Sequence, residues 1–302
     1  MAFDVVGVGA SALDYLCVVP SPPKPDEKMR MEDFSVQGGG PAATAMVTAA
    51  RLGLSACLFA RTGSDSMGHF QLAELEREGV DVSYVSQVEG ASSVFAFVMV
   101  DRKSGYRSIV YNGGTLPPLA ESDLRQDVIR RAGCLVVDPY ELGAATVASA
   151  WAREASIPVI LDADAVVPGV SQVVPLCDYV IGPAEFATAF AETRSLKRAV
   201  EFLLSYGPSV VIITMGEKGC QCFTRDERFS VPAYKVDVVD TTGAGDVFHG
   251  ACALGVVRGW DLRRIVEFAS ATAALKCTSL GGRAGIPRLA EVERFMLHQR
   301  PG

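Results

Sequence analysis

The stretch Cys134-Leu135-Val136-Val137-Asp138 is short, apolar and closed by an acid. An alanine-rich helical run follows from Ala144 to Glu154, and Val159-Ile160-Leu161-Asp162 then repeats the first pattern. Continuous apolar runs of strand length belong to strands buried on both faces. Two of them joined by a helix read as a parallel βαβ unit. Outward from this unit the pattern recurs. Phe3 to Val8, Ala56 to Arg61, Tyr179 to Ile181 and Val210 to Met215 are further strands, while Ala42 to Leu52, Met67 to Glu78 and Leu196 to Leu204 are helices. The expectation is an α/β fold in three layers, a mostly parallel central sheet with helices on both faces.

Two segments break the alternation. Leu13 to Val36 and Ser93 to Asn112 are β-rich and lack intervening helices. They predict a small second sheet, a lid over one end of the main one, contributed by about residues 13–37 and 93–113.

Of the 302 residues, 49% are hydrophobic and 21% charged, an ordinary globular balance. A formal net charge of -7 disfavours nucleic acid and anionic membranes as partners. The opening residues have no basic secretory region, and the longest apolar stretch, Ala42 to Ala60, is interrupted by Arg51. A cytoplasmic protein is expected. The 8 cysteines are scattered and read as buried thiols rather than disulfides. Cys220 and Cys222 share one strand face, but no histidine lies near them in sequence, so a structural zinc site is not expected.

Gly7-Val8-Gly9-Ala10-Ser11-Ala12 fits the dinucleotide-binding fingerprint after a strand. That fingerprint needs a helix next, to meet the pyrophosphate. Leu13 to Val19 favours a strand instead and ends at Pro20, so the segment reads as a turn that points Asp14 either at a ligand or into a plain bend.

Val238-Val239-Asp240-Thr241-Thr242-Gly243-Ala244-Gly245-Asp246 carries more chemistry. An apolar approach ends at Asp240, and Asp246 begins a helical run to Val256. The amides of Gly243, Ala244 and Gly245 would stand at a helix N-terminus, where unpaired donors and the helix dipole favour an anion. A carboxylate on the first turn would lie beside that anion. Donors for phosphoryl oxygens and a base for an attacking hydroxyl are the parts phosphoryl transfer needs. A glycine-rich helix start with an aspartate cap is the plainer alternative.

Asp240 to Gly250 strongly resembles the C-terminal signature of the PfkB sugar kinases. Gly38-Gly39-Gly40-Pro41-Ala42-Ala43-Thr44-Ala45, ending in Ala50-Arg51-Leu52-Gly53, resembles the N-terminal signature of that family. The likeness spans essentially the whole chain, and Phe268 to Pro287 is similar to the branch that includes sulfofructose kinase. The resemblance implies one ribokinase-like domain over 1–302 and an ATP-dependent sugar kinase, with Asp246 as base and residues 243–245 as anion hole. It further implies that Asp14 holds two sugar hydroxyls beside Gly38, Gly39 and Gly40. Thr214, Gly216 and Gly219, with Ala274 and Cys277 flanking the adenine, are the implied nucleotide residues. Glu185 would serve Mg²⁺, and Asp240, Thr242 and Gly281 a monovalent cation such as K⁺. A homodimer through the lid is also implied.

The chain departs from the family pattern. Ala43 stands where the family carries Asn, leaving Thr44 as a substitute sugar contact, and Gly182-Pro183-Ala184-Glu185 keeps the acid of an Asn-x-x-Glu motif without its amide. Sulfofructose kinases bind sulfonate through Lys, Asn and Arg. Lys28 fits the first, while the other two fall near Tyr111 or Asn112 and at about Tyr140, so the Arg is missing and sulfofructose is not assigned. A nucleoside or sugar-phosphate kinase therefore stays open, with Lys28, Arg30 and Arg107 meeting an anionic group or forming a solvated face. So does a non-catalytic sugar-binding protein.

Overall fold

The computed structural model describes residues 2–299. The domain expected over 1–302 therefore extends at both ends beyond the described residues. The chain runs β1 (Val5–Val8), β2 (Ala12–Val19), β3 (Asp33–Gly39), α1 (Pro41–Arg51), β4 (Ala56–Gly63), α2 (Ser66–Arg77), β5 (Val80–Asp81), β6 (Val85–Val88), β7 (Phe95–Asp101) and β8 (Arg107–Asn112). It continues through α3 (Gln126–Ile129), β9 (Cys134–Val137), α4 (Leu142–Glu154), β10 (Val159–Asp162), β11 (Tyr179–Pro183), α5 (Ala184–Phe190) and α6 (Leu196–Tyr206). It closes with β12 (Val210–Thr214), β13 (Cys220–Phe223), β14 (Arg228–Val231), α7 (Ala244–Val257), α8 (Leu262–Lys276) and α9 (Leu289–His298).

The main sheet has 10 strands in the order β14-β13-β12-β11-β10-β9-β1-β4-β5, with β6 also on β4. From β12 to β5 every pairing is parallel, and β13 and β14 add to the far edge through antiparallel pairings β12–β13 and β13–β14. Successive side chains of each strand enter opposite faces. Cys134, Val136, Ile160, Ile181 and Ile212 join the core packed by α1, α2, α7, α8 and α9. Leu135, Val137, Leu161, Val180 and Val211 join the core packed by α4, α5 and α6. This two-sided burial is why the strands are apolar throughout.

The second sheet has 4 strands in the order β3-β2-β7-β8. One face of it, with Leu16, Val18, Ala96, Val98 and Val100, packs against Leu280. The other leaves Phe34, Phe97 and Val110 between 53% and 72% exposed. Met29 to Val36 alternates as a strand would, but the strand lies further along, at Asp33–Gly39, because it pairs with β2 through Ala12↔Gly39 and Val18↔Asp33. The turn after β1 leads into β2 rather than a helix, so the dinucleotide fingerprint has no helix to complete it.

All eight cysteines are free thiols and seven are buried. Cys220 and Cys222 share the buried face of β13, and burial raises both thiols above the ordinary range. No helix among the described residues is long and apolar enough to cross a membrane.

Candidate active site

α7 starts just after Gly243, which sits in the left-handed region at φ 72°. A side chain there would be strained and would press on Gly282, so the turn requires glycine. The amide of Ala244 donates to Thr241 O at 3.2 Å, and Val247 N to Gly243 O at 2.9 Å. Among the described residues, the amides of Gly243, Gly245 and Asp246 have no acceptor within the chain. Of the three amides expected to form an anion hole, those of Gly243 and Gly245 are unbonded within the chain. Ala244 spends its amide inside the turn, and the Asp246 amide stands free in its place.

Asp240 shapes that turn. It is fully buried, and its carboxylate accepts from Thr242 N at 2.8 Å, Thr242 Oγ1 at 2.7 Å and Gly281 N at 2.7 Å. Its carbonyl accepts from Lys276 Nζ at 2.9 Å. Burial lowers the Lys276 pKa below the ordinary lysine value, and the Asp240 carboxylate opposes that shift. Asp240, Thr242 and Gly281, expected around a monovalent cation, are instead bonded to one another, with an ammonium already among them.

Asp14 lies on β2 with 9% of its surface exposed. Burial lifts its carboxyl to about 6; Arg283 opposes the shift and Asp246 adds to it. Asp246 is likewise lifted to about 6, by burial first and then by Asp164, against Arg107, Arg283 and Lys276. Two carboxylates from residues far apart in sequence thus feel each other across one site. Neither has a hydrogen-bond partner among the described residues. Acids buried without partners and with perturbed titration are the usual mark of a ligand site.

The three glycines before α1 serve this site through close packing. A β-carbon on Gly39 would overlap the Asp14 carboxylate, and one on Gly38 would overlap Arg283 and Glu74. Gly40, at φ 88°, would press on Ala10 and Ser11. Beneath them Arg283 donates to Gly39 O at 2.7 Å and to Thr44 Oγ1 at 3.2 Å. Thr44 is buried in α1, and its hydroxyl accepts from Arg283 Nε at 3.2 Å.

Asp138, at the end of β9, accepts from Ala10 N at 2.8 Å, Ala42 N at 3.1 Å and Tyr140 N at 3.0 Å. Burial lifts it to about 7, with these bonds opposing. It clamps the turn after β1 to the first turn of α1. His249 holds α7 from behind, with ring nitrogens 2.6 Å from Gly245 O, 3.1 Å from Ile181 O and 3.4 Å from Asp162 Oδ2.

The other expected residues are dispersed. Thr214 ends β12 opposite Cys220, whose thiol lies 3.6 Å from Ser270 on α8, one turn before Ala274. Gly216 and Gly219 flank a tight turn at φ 56° and 84°. Cys277 caps α8, and its carbonyl accepts from Val239 N at 2.8 Å. Thr214 is thus linked to α8 through Cys220, and Cys277 to the approach of the Asp240 turn. Glu185 is exposed on the first turn of α5. Among the described residues no three His, Cys, Asp or Glu side chains cluster as a metal site. Lys28 is exposed in the β2–β3 connection, and Asn112 spends its side-chain oxygen on Gly114 N at 2.8 Å. Arg107, by contrast, reaches from β8 to Thr241 Oγ1 at 3.1 Å, linking the second sheet to the anion turn.

Free amides at a helix start, a partnerless acid beside them and a second such acid on the small sheet are features a ligand site presents. The chain belongs to the pfkB family carbohydrate kinases, whose model it matches over residues 2–289. It is accordingly a phosphotransferase with an alcohol group as acceptor. It is 28% identical to ribokinase from Haemophilus influenzae, over 96% of this chain and 97% of that protein. It is 28% identical to deoxyribokinase from Salmonella typhi, over 97% of this chain and 98% of that one. Ribokinase from Arabidopsis thaliana, solved with ribose and ATP, superposes at a TM-score of 0.85 and 25% identity, covering 98% of this chain and 99% of that one. These relatives place the chain in the family without placing it in the branch that includes sulfofructose kinase.

Proposed function

We propose that the chain transfers the γ-phosphoryl group of ATP to a hydroxyl of a small sugar, with Asp246 as the base. The observation that carries this reading is the Asp246 carboxylate, without a partner, beside the unbonded amides of Gly243 and Gly245. The amides receive the oxygens of the migrating group. Asp246 orients the sugar hydroxyl and accepts its proton, help typically worth about a hundred- to ten-thousand-fold. Asp14 accepts hydrogen bonds from two further hydroxyls, which fixes the acceptor oxygen in line. Thr214, Gly216, Gly219, Ala274 and Cys277 hold the nucleotide.

Mg²⁺, carried in with the phosphates, would offset their charge. A magnesium ion keeps most of its waters and needs only one or two protein carboxylates, a requirement Glu185 meets. The second sheet acts as the lid of the one domain, and Arg107 carries its positive charge to the anion turn. The apolar outer face with Phe34, Phe97 and Val110 serves a homodimer contact. Eight free thiols and a need for ATP fit the cytoplasm.

A panel of free pentoses, hexoses and ketoses, sugar phosphates and nucleosides, read by ADP release, tests the proposal. Turnover of at least one free sugar is expected. Turnover confined to phosphorylated sugars or nucleosides would overturn the acceptor class. A sugar that binds without any turnover would return the non-catalytic reading.

A further inference from the structure

Beside the phosphoryl-binding turn the chain places a lysine where a free cation was expected. Lys276 and Asp240 are both fully buried, and Lys276 Nζ donates to Asp240 O at 2.9 Å. Every oxygen of Asp240 is already the acceptor of a chain donor: Thr242 N and Oγ1 on one carboxylate oxygen, Gly281 N on the other, Lys276 on the carbonyl. A bare ion needs lone pairs converging on a centre free of positive charge. At an effective dielectric near 20, two unit charges about 4 Å apart repel by about 4 kcal/mol. The donor set therefore does not fit K⁺ or Na⁺.

Lys276 is also well placed to do what such an ion would do. It is the last residue of α8, where the helix dipole favours positive charge. Through Asp240 it fixes the loop that carries Thr242 and Gly243, and its charge is felt at Asp246. We infer that the Lys276 ammonium is a built-in counter-charge for the phosphoryl-binding turn, and that turnover needs no free monovalent cation. A tethered ammonium is present at every potassium concentration and pays no entropy of binding. Lys276 is thus a positioning residue that acts through Asp240. The inference rests on the proposed kinase reading.

The test measures kcat/KM for the best sugar in tetramethylammonium buffer at constant ionic strength, with K⁺ or Na⁺ exchanged in. The expected change is less than about threefold, and a larger activation by either ion overturns the inference. The folded variant Lys276→Met should lose about ten- to a hundredfold in the cation-free buffer, and ammonium or K⁺ should restore part of it. A folded Lys276→Met with unchanged kcat/KM overturns the inference as well. Thallium anomalous scattering from crystals gives a reading independent of turnover and of the variant. No peak at Asp240 is expected, and a peak there overturns the inference. If no sugar is turned over in any buffer, the kinase reading fails while the thallium result still decides the role of Lys276.

Discussion

Arg283 Nη1 lies 3.1 Å from Glu74 Oε2, and this ion pair is sealed beneath Gly38 and Gly39, with Arg283 1% exposed. It forms the floor under Asp14. Glu74 also accepts from Gly38 N, so one pair supports both the glycine run and the sugar-side acid. Glu74→Ala should strand a buried guanidinium and destabilise the fold by about 3–5 kcal/mol. Urea unfolding measures the loss. The double change Glu74→Leu with Arg283→Met should cost much less than the sum of the single changes, because it leaves no orphaned charge.

A methyl group on Gly39 would overlap the Asp14 carboxylate. Gly39→Ala should therefore displace Asp14 and raise the sugar KM by about tenfold or more, while leaving the Kd for ATP unchanged. Steady-state kinetics with calorimetry on the nucleotide distinguish the two effects. Equal loss of sugar and ATP binding would show general collapse instead.

Asp14 and Asp246 both titrate near 6 because burial penalises their charged forms. Both must be ionised to bind and to accept a proton. The sugar kcat/KM should be flat above pH about 7 and fall below about 6, with a slope steeper than one proton. A profile flat down to pH about 4.5 would contradict both shifts.

The same shifts fix a stability trend. A carboxyl raised in the folded state favours the folded protein when protonated. That contribution is complete below the unfolded value of 3.8 and is lost as pH rises through about 6. At pH 8 Asp14 is therefore a liability, and Asp14→Asn should raise Tm while weakening sugar binding. The Tm gain should vanish at pH 4. A lower Tm at pH 8 would show that Asp14 is held by partners rather than strained by burial.

Much of this was legible in the chain. The apolar strands at Cys134, Val159 and Val210 could be read because both of their faces are buried. The Asp240–Asp246 turn could be read because its glycines and acids are contiguous. Glu74, Asp138, Lys276 and Arg283 could not. Each is a charged side chain of a type that normally lies on the surface, and its partners come from distant segments. A faint signal existed for Lys276, since Phe268, Thr272 and Lys276 recur every four residues on the buried face of α8. For Arg283 the room is made by Gly38, where the guanidinium occupies the space of the missing side chain, a relation the distant positions hide in sequence. The start of β3 was misplaced because its register is set by pairing with β2, which the local sequence does not encode.

The central claim is that Asp246 takes the proton from the acceptor hydroxyl. The direct measurement is kcat for Asp246→Asn with the best sugar, beside the Kd for ATP. A fall of about a hundred- to ten-thousand-fold in kcat is expected, with the ATP Kd unchanged. A kcat within about threefold of the parent enzyme would contradict it.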